Sequence, residues 1–135
     1  MIVVDTNVLA YLYFPGDKTH EVKDLLKTDP EWAAPVLWRS EFLNVLSTYM
    51  RVKGLPFARC IEIFEMADEL LSPQTYAVSP LKVLEVSSRT SCSGYDSEFV
   101  SLAEELQTRL VTYDARLISK SAPISCPPTE ILASA

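Results

Sequence analysis

The chain has 135 residues, 48% of them hydrophobic and 22% charged, with a net charge of −6. That is the size and make-up of one ordinary globular domain, long enough to bury roughly two-thirds of its unfolded surface, so a single unit over residues 1–135 is expected and long disorder or a fibrous repeat is excluded. No run approaches the ~18 apolar residues of a membrane span. The apolar start, Met1 to Val4, lacks a basic segment and meets an acid at Asp5, so no signal peptide is expected. The three cysteines, Cys60, Cys92 and Cys126, are far apart and His20 is the lone histidine. This argues against a zinc site or a disulfide framework and fits a reduced, cytoplasmic compartment. An acidic balance by itself speaks against binding nucleic acid. The objection weakens if carboxylates hold cations, because a bound ion reverses the local field.

In chain order, Ile2-Val3-Val4 reads as a short buried strand. Residues 7–13 form a short helix stopped by Pro15-Gly16, and residues 19–27 a helix ended by Asp29-Pro30. Trp32 to Val36 is a second strand. Residues 38–52 make an amphipathic helix, since Trp38, Phe42, Val45 and Tyr49 recur at spacings of four, three and four. Lys53-Gly54-Leu55-Pro56 breaks it, and Pro56 suits the start of a helix to Leu71. Gln74 to Val78 is a third strand, residues 80–90 a helix, and Ser91-Cys92-Ser93-Gly94 a turn. A helix from Tyr95 to Gln107, a strand from Arg109 to Thr112, a helix through Lys120, a strand at Ile124–Cys126 and a short tail helix complete the chain. Strands alternating with helices predict an α/β fold with a parallel sheet and right-handed crossovers. In such sheets sites lie beyond the carboxyl ends of strands, where strand order reverses.

Position must sort the eighteen acids. Asp5 follows Ile2-Val3-Val4 directly, and Asp114 follows Leu110-Val111-Thr112-Tyr113, so both sit at carboxyl ends of predicted strands. If those strands are neighbours, the two like charges repel by several kcal/mol unless a cation or a proton intervenes. On a helix turning by about 100° per residue, Glu41 falls at the edge of the Trp38/Phe42 stripe, and Asp96 flanks Phe99, Leu102, Ala103 and Leu106, whereas Glu98 and Glu105 are expected to face water. Each position also has a plainer reading. Asp5, Asp96 and Asp114 lie near helix starts, where aspartate caps, and Ser93-x-x-Asp96 matches a capping box. Capping explains each acid separately and predicts no convergence. Thr112 could orient a water or a carboxylate, or be an ordinary strand residue. Thr6 and Asn7 could support Asp5, or Asn7 could cap the following helix.

Oxygen ligands without histidine or cysteine suit Mg²⁺ or Mn²⁺, ions that activate water and polarise a phosphoryl oxygen. With three glycines and neither GxGxxG nor GxxxxGK[ST], nucleotide-cofactor and ATPase readings lose. His20 has no nucleophile motif nearby, so a serine–histidine hydrolase is not expected.

Four segments, Val4-Asp5-Thr6-Asn7-Val8-Leu9, Ser40-Glu41-Phe42, Gly94 to Ala103 and Leu110-Val111-Thr112-Tyr113-Asp114, resemble PIN-domain ribonucleases, and most nearly the VapC-type toxins of toxin–antitoxin pairs, along essentially the whole chain. The resemblance implies a three-layer α/β/α sandwich around a parallel sheet of four or five strands. It also implies an Mg²⁺- or Mn²⁺-dependent endoribonuclease whose metal is carried by Asp5, Glu41, Asp96 and Asp114. Thr112 would assist, Asn7 would support Asp5, and RNA, a cognate antitoxin and a second copy of the chain would be the partners. Arg39 and Arg116 are candidate RNA contacts, with Arg51, Lys53 and Arg109 as weaker ones. Two other readings stay open. A non-catalytic binding module with the same fold suits the acidic charge. A haloacid-dehalogenase-like phosphatase also opens with a strand and an aspartate, but it wants a DxD pair and position 7 is Asn7.

Overall fold

The computed structural model describes all residues from Met1 to Ala135. Five strands, β1 (Ile2–Val4), β2 (Trp32–Pro35), β3 (Thr75–Tyr76), β4 (Leu110–Val111) and β5 (Ser125–Cys126), form one sheet in the order β3-β2-β1-β4-β5. Every pairing is parallel. Eight helices accompany it: α1 (Thr6–Tyr13), α2 (Thr19–Thr28), α3 (Leu37–Lys53), α4 (Phe57–Leu71), α5 (Pro80–Thr90), α6 (Gly94–Glu105), α7 (Ala115–Ser121) and α8 (Pro128–Ala133). The result is the parallel α/β fold that the alternation of elements predicts, in the sandwich form that the family resemblance implies.

Local chemistry explains the boundaries. β1 is β-branched or aliphatic throughout and wholly buried, as a central strand covered on both faces must be. Asp5, Ser79, Ser93 and Asp114 cap α1, α5, α6 and α7 with side-chain oxygens. α3 ends at Gly54, whose φ of 69° lies in the left-handed region that a glycine enters freely. Every strand after β1 is shorter than expected, β2 and β5 by one residue each and β3 and β4 by more. Ser72–Gln74 tightens into a 3₁₀ turn and leaves only Thr75–Tyr76 for β3. β4 stops at Val111, although the Thr112 N–H still donates to the Cys126 carbonyl at 3.0 Å.

Strand order decides where chemistry can sit. From β1 the chain runs outward through β2 to β3, then returns to the other side of β1 as β4 and continues to β5. The reversal falls between β1 and β4, whose register pairs Val3 with Leu110 and Val4 with Val111. Packing fixes α3 beside this point. Phe42, fully buried, meets Trp38 with ring centroids 6.2 Å apart and Tyr13 at 5.9 Å. Trp38 stacks on Phe64 and donates its indole N–H to Thr75 Oγ1 at 3.0 Å. Phe42→Ala removes the ring that holds α3 to α1, one residue from Glu41. It is expected to cost ~3–5 kcal/mol in urea unfolding, and a cost below ~1 kcal/mol would show that this packing does not anchor the helix.

Candidate functional site

The register of β1 with β4 sets Asp5 beside Thr112. The Asp5 N–H donates to the Val111 carbonyl at 3.0 Å, so the ladder runs one step past each strand. Thr112 is fully buried and its hydroxyl is a hub: it donates to Asp5 Oδ2 at 2.8 Å and accepts from Asn7 Nδ2 at 3.2 Å and from the Asp114 N–H at 3.0 Å. One donor and two lone pairs are all a hydroxyl has, and all three are engaged. Asn7 closes the arrangement, accepting from the Tyr113 N–H at 3.1 Å and directing its amide toward Asp5 Oδ2 at 3.4 Å. Thr112 and Asn7 are thus the connectors between the two strand ends.

The other two acids arrive on helices. Thr6, at the start of α1, donates its hydroxyl to Glu41 Oε1 at 2.7 Å and so ties α3 to the Asp5 turn. Asp96 stands in the first turn of α6, its N–H bound to Ser93 Oγ at 3.1 Å. Asp114 caps α7, its Oδ1 accepting from the N–H groups of Arg116 at 3.0 Å and Leu117 at 3.2 Å. Capping and convergence are both true. Asp5, Glu41, Asp96 and Asp114 line one cavity of about 380 Å³ with Thr6, Asn7, Asn44, Ala10 and Val45.

Electrostatics in that cavity are unfavourable for carboxylates. Burial pushes the Asp5 carboxyl from 3.8 up to about 6; the hydrogen bonds from Thr112 and Thr6 oppose the rise, and the charges of Glu41 and Asp96 add to it. Glu41 is also raised, first by burial, against the Thr6 hydrogen bond and together with the charges of Asp96 and Glu98. Asp96 is raised by burial and by Asp114, while Ser93 and Lys120 pull it back. Such a cluster favours a proton or a cation. The chain nevertheless holds no ready-made cage: no group of three or more histidine, cysteine, aspartate or glutamate side chains is gathered tightly enough to hold a metal ion. An oxygen-only donor set that shares a cavity without closing on its centre fits Mg²⁺, which keeps several waters and takes one or two carboxylates directly.

Some expectations are corrected. Glu98 does not simply face water: it is half-buried beside Val78, Pro80, Val83 and Leu84, and burial raises its carboxyl. Glu105 is exposed as expected. Arg39 stands away from the acidic cavity, held to Asp68 of α4 at 3.0 Å and laid over Trp38. Arg116 borders a second cavity that shares Asp96 and Asp114 with the first and adds Ser93, Leu117 and Lys120. Asn44 and Lys120 escaped the sequence reading. Asn44 was findable, since it lies one helical turn after Glu41 and shares its face.

The PIN domain family matches residues 2–122. Comparison with curated protein sequences finds no significant match. Among solved structures, the chain resembles PAE2754 from Pyrobaculum aerophilum with a TM-score of 0.75 and 22% identity, over 98% of this chain and 87% of that one. It resembles a toxin–antitoxin complex from Klebsiella pneumoniae with a TM-score of 0.71 and 17% identity, over 95% and 98%. FitAcB from Neisseria gonorrhoeae gives 0.66 and 13%, over 96% and 99%. At these identities the structural likeness establishes the fold.

The raised carboxyls set a sign for stability. Folded Asp5 keeps its proton to about pH 6 and the unfolded residue only to its ordinary 3.8, so between those values the native state binds more protons and stability falls as pH rises. Urea unfolding in chelator is expected to give a folding free energy ~2 kcal/mol lower at pH 7.5 than at pH 4.5. A flat or rising profile across that window would contradict the burial of Asp5 as a strained carboxylate.

Proposed function

This chain belongs to the PIN-domain family, and from that premise we propose that it is a metal-dependent endoribonuclease, the toxin of a toxin–antitoxin pair. The observation that carries the reading is the single cavity at the carboxyl ends of β1 and β4 into which Asp5, Glu41, Asp96 and Asp114 all open. PIN domains are generally nucleases. The likeness to a toxin from a toxin–antitoxin complex supports a protein antitoxin as partner. A homodimer completes the proposal.

Mg²⁺ or Mn²⁺ held by these four acids would supply the positive charge that polarises the phosphoryl oxygen and makes the attacking water acidic enough to react near neutral pH. The residues of this chain do the positioning. Thr112 and Asn7 fix the plane of the Asp5 carboxylate by holding Oδ2, while the Thr6 N–H holds Oδ1 at 2.8 Å. Thr6 holds Glu41 through one oxygen and leaves the other for the cavity. Asp114 likewise spends Oδ1 on the α7 cap and retains Oδ2. The second oxygen of Glu41, which Thr6 leaves unpaired, would accept a proton from an attacking water.

A second reading, a PIN-fold binding module without catalysis, is favoured by one fact: no three of the acids stand ready to hold an ion. Calorimetric titration separates the two, since a catalytic site binds Mn²⁺ at millimolar concentration or below and a pure binding module does not. The phosphatase reading gains nothing, because Asn7 supplies an amide where the second acid is required.

Asp5→Asn is expected to reduce Mn²⁺-dependent RNA cleavage by ~1000-fold, a loss of several kcal/mol of transition-state stabilisation, with the circular dichroism spectrum kept. Unchanged cutting would end the proposal. Thr112→Val should act through Asp5. It is expected to raise the Mn²⁺ concentration for half-maximal rate by ~10–100-fold while recovering most activity at saturating metal, whereas a loss that no metal concentration restores would assign Thr112 a different role.

A further inference from the structure

The acidic cavity continues into a second one of about 220 Å³ whose far wall is basic. Asp96 and Asp114 belong to both. Opposite them stand Arg116 and Lys120, four residues apart on α7 and therefore on one face. Both are exposed. The same pair, with Ala115 and Ser119, floors a further concavity along α7, so the basic face extends outward from the acids. α7 carries two cations and no acid, in a chain whose net charge is −6.

Of the twelve lysines and arginines, four arginines are closed onto carboxylates and the others, Arg116 and Lys120 among them, are not. Arg39, Arg59, Arg89 and Arg109 are each closed onto a carboxylate at 3.0 Å or less. Arg116 and Lys120 form no such ion pair, although the carboxylates of Asp96 and Asp114 line the same cavity. Lys120 instead lends Nζ to the Ser91 carbonyl at 3.3 Å, which keeps its ammonium at the rim while leaving donors for another ligand. A row of acids that neither neighbouring cation closes on, followed by those cations, matches a polyanion crossing the site. One phosphate lies over the acids, where a cation is needed, and the next meets fixed positive charge.

We propose that Arg116 and Lys120 form a phosphate subsite that takes the backbone group adjacent to the scissile one, so that single-stranded RNA crosses from the acidic cavity onto α7. The subsite rests on the nuclease reading for its purpose, but binding alone can judge it. It accounts for how so acidic a chain holds a polyanion: affinity comes from one local shelf and from no general basic surface. Because the contact is to phosphate, it is independent of base sequence.

The test uses fluorescence anisotropy with a labelled 12-nucleotide single-stranded RNA of mixed sequence, in chelator to block cutting, over a range of salt, together with cleavage kinetics in Mn²⁺. The double variant Arg116→Gln/Lys120→Gln changes two exposed side chains, and its thermal melt verifies the fold. It should bind ~10-fold or more weakly for every sequence, with the salt slope reduced by about 1.4, and raise KM with kcat within ~3-fold. Arg116→Lys/Lys120→Arg should recover most of the affinity. Lys23→Gln/Lys27→Gln removes the same charge from two exposed positions of α2 that line neither cavity, and should bind as the parent does. Equal losses in the two Gln pairs, or no loss at Arg116 and Lys120, would overturn the subsite, as would a parent protein that does not bind RNA. A parent that binds RNA through these residues but never cuts it would keep the subsite and overturn the nuclease reading.

Discussion

The parallel hydrogen bonding of β1 to β4 is the constraint on which the site depends. It joins the second residue of the chain's first strand to a segment more than a hundred positions later, and its register places Asp5 beside Thr112. A slip of one residue would turn every side chain of β1 to the opposite face and would separate Asp5 from the Thr112 hydroxyl. The buried β-branched run of β1 makes such a slip costly, because each of its side chains is sealed on both faces. The hydrophobic core therefore sets the chemistry indirectly, by holding two strand ends in one relation.

Around that relation the polar groups are shared between folding and function. Asp5 and Asp114 cap the starts of α1 and α7 and face the cavity with the same side chains. The donors they receive, on both oxygens of Asp5 and on Oδ1 of Asp114, offset part of the lost hydration. What is left uncompensated is chiefly the lost hydration, with mutual repulsion adding to it, and together they raise the carboxyls of Asp5, Glu41 and Asp96. Strain of this kind persists where the surrounding fold over-determines the geometry, and here the Thr112 and Asn7 clamp does so.

How much of this was legible differs residue by residue. Asp5 and Asp114 were readable because an apolar strand followed at once by an acid marks a carboxyl end, whatever the family. Glu41 was read only to the edge of the Trp38/Phe42 stripe, and its place in the site rested mainly on the family resemblance; the buried Phe42 beside it fixes the helix. Asp96 was harder to separate from a cap, and the fold shows it to be in the capped first turn and in the cavity together. Glu98 was misjudged because the helical wheel assumed one apolar face for α6, whereas α5 packs on its other side and Pro80, Val83 and Leu84 cover Glu98 there. Arg39 was misjudged because its partner, Asp68, comes from a different helix, and a pairing between helices leaves no local trace in sequence. Thr112 was undecided between strand filler and ligand orienter; its hydroxyl makes three hydrogen bonds, one of them to the Asp5 carboxylate, which no sequence pattern reveals.

If the four carboxylates share a cation at the junction of β1 and β4, as proposed, anomalous scattering from crystals soaked in Mn²⁺ will locate it. A manganese peak is expected inside the cavity, with Asp5 and at least one of Glu41, Asp96 and Asp114 as direct or water-bridged ligands. A cavity without manganese at saturating concentration, or a peak bound only to acids elsewhere on the surface, would contradict that proposal.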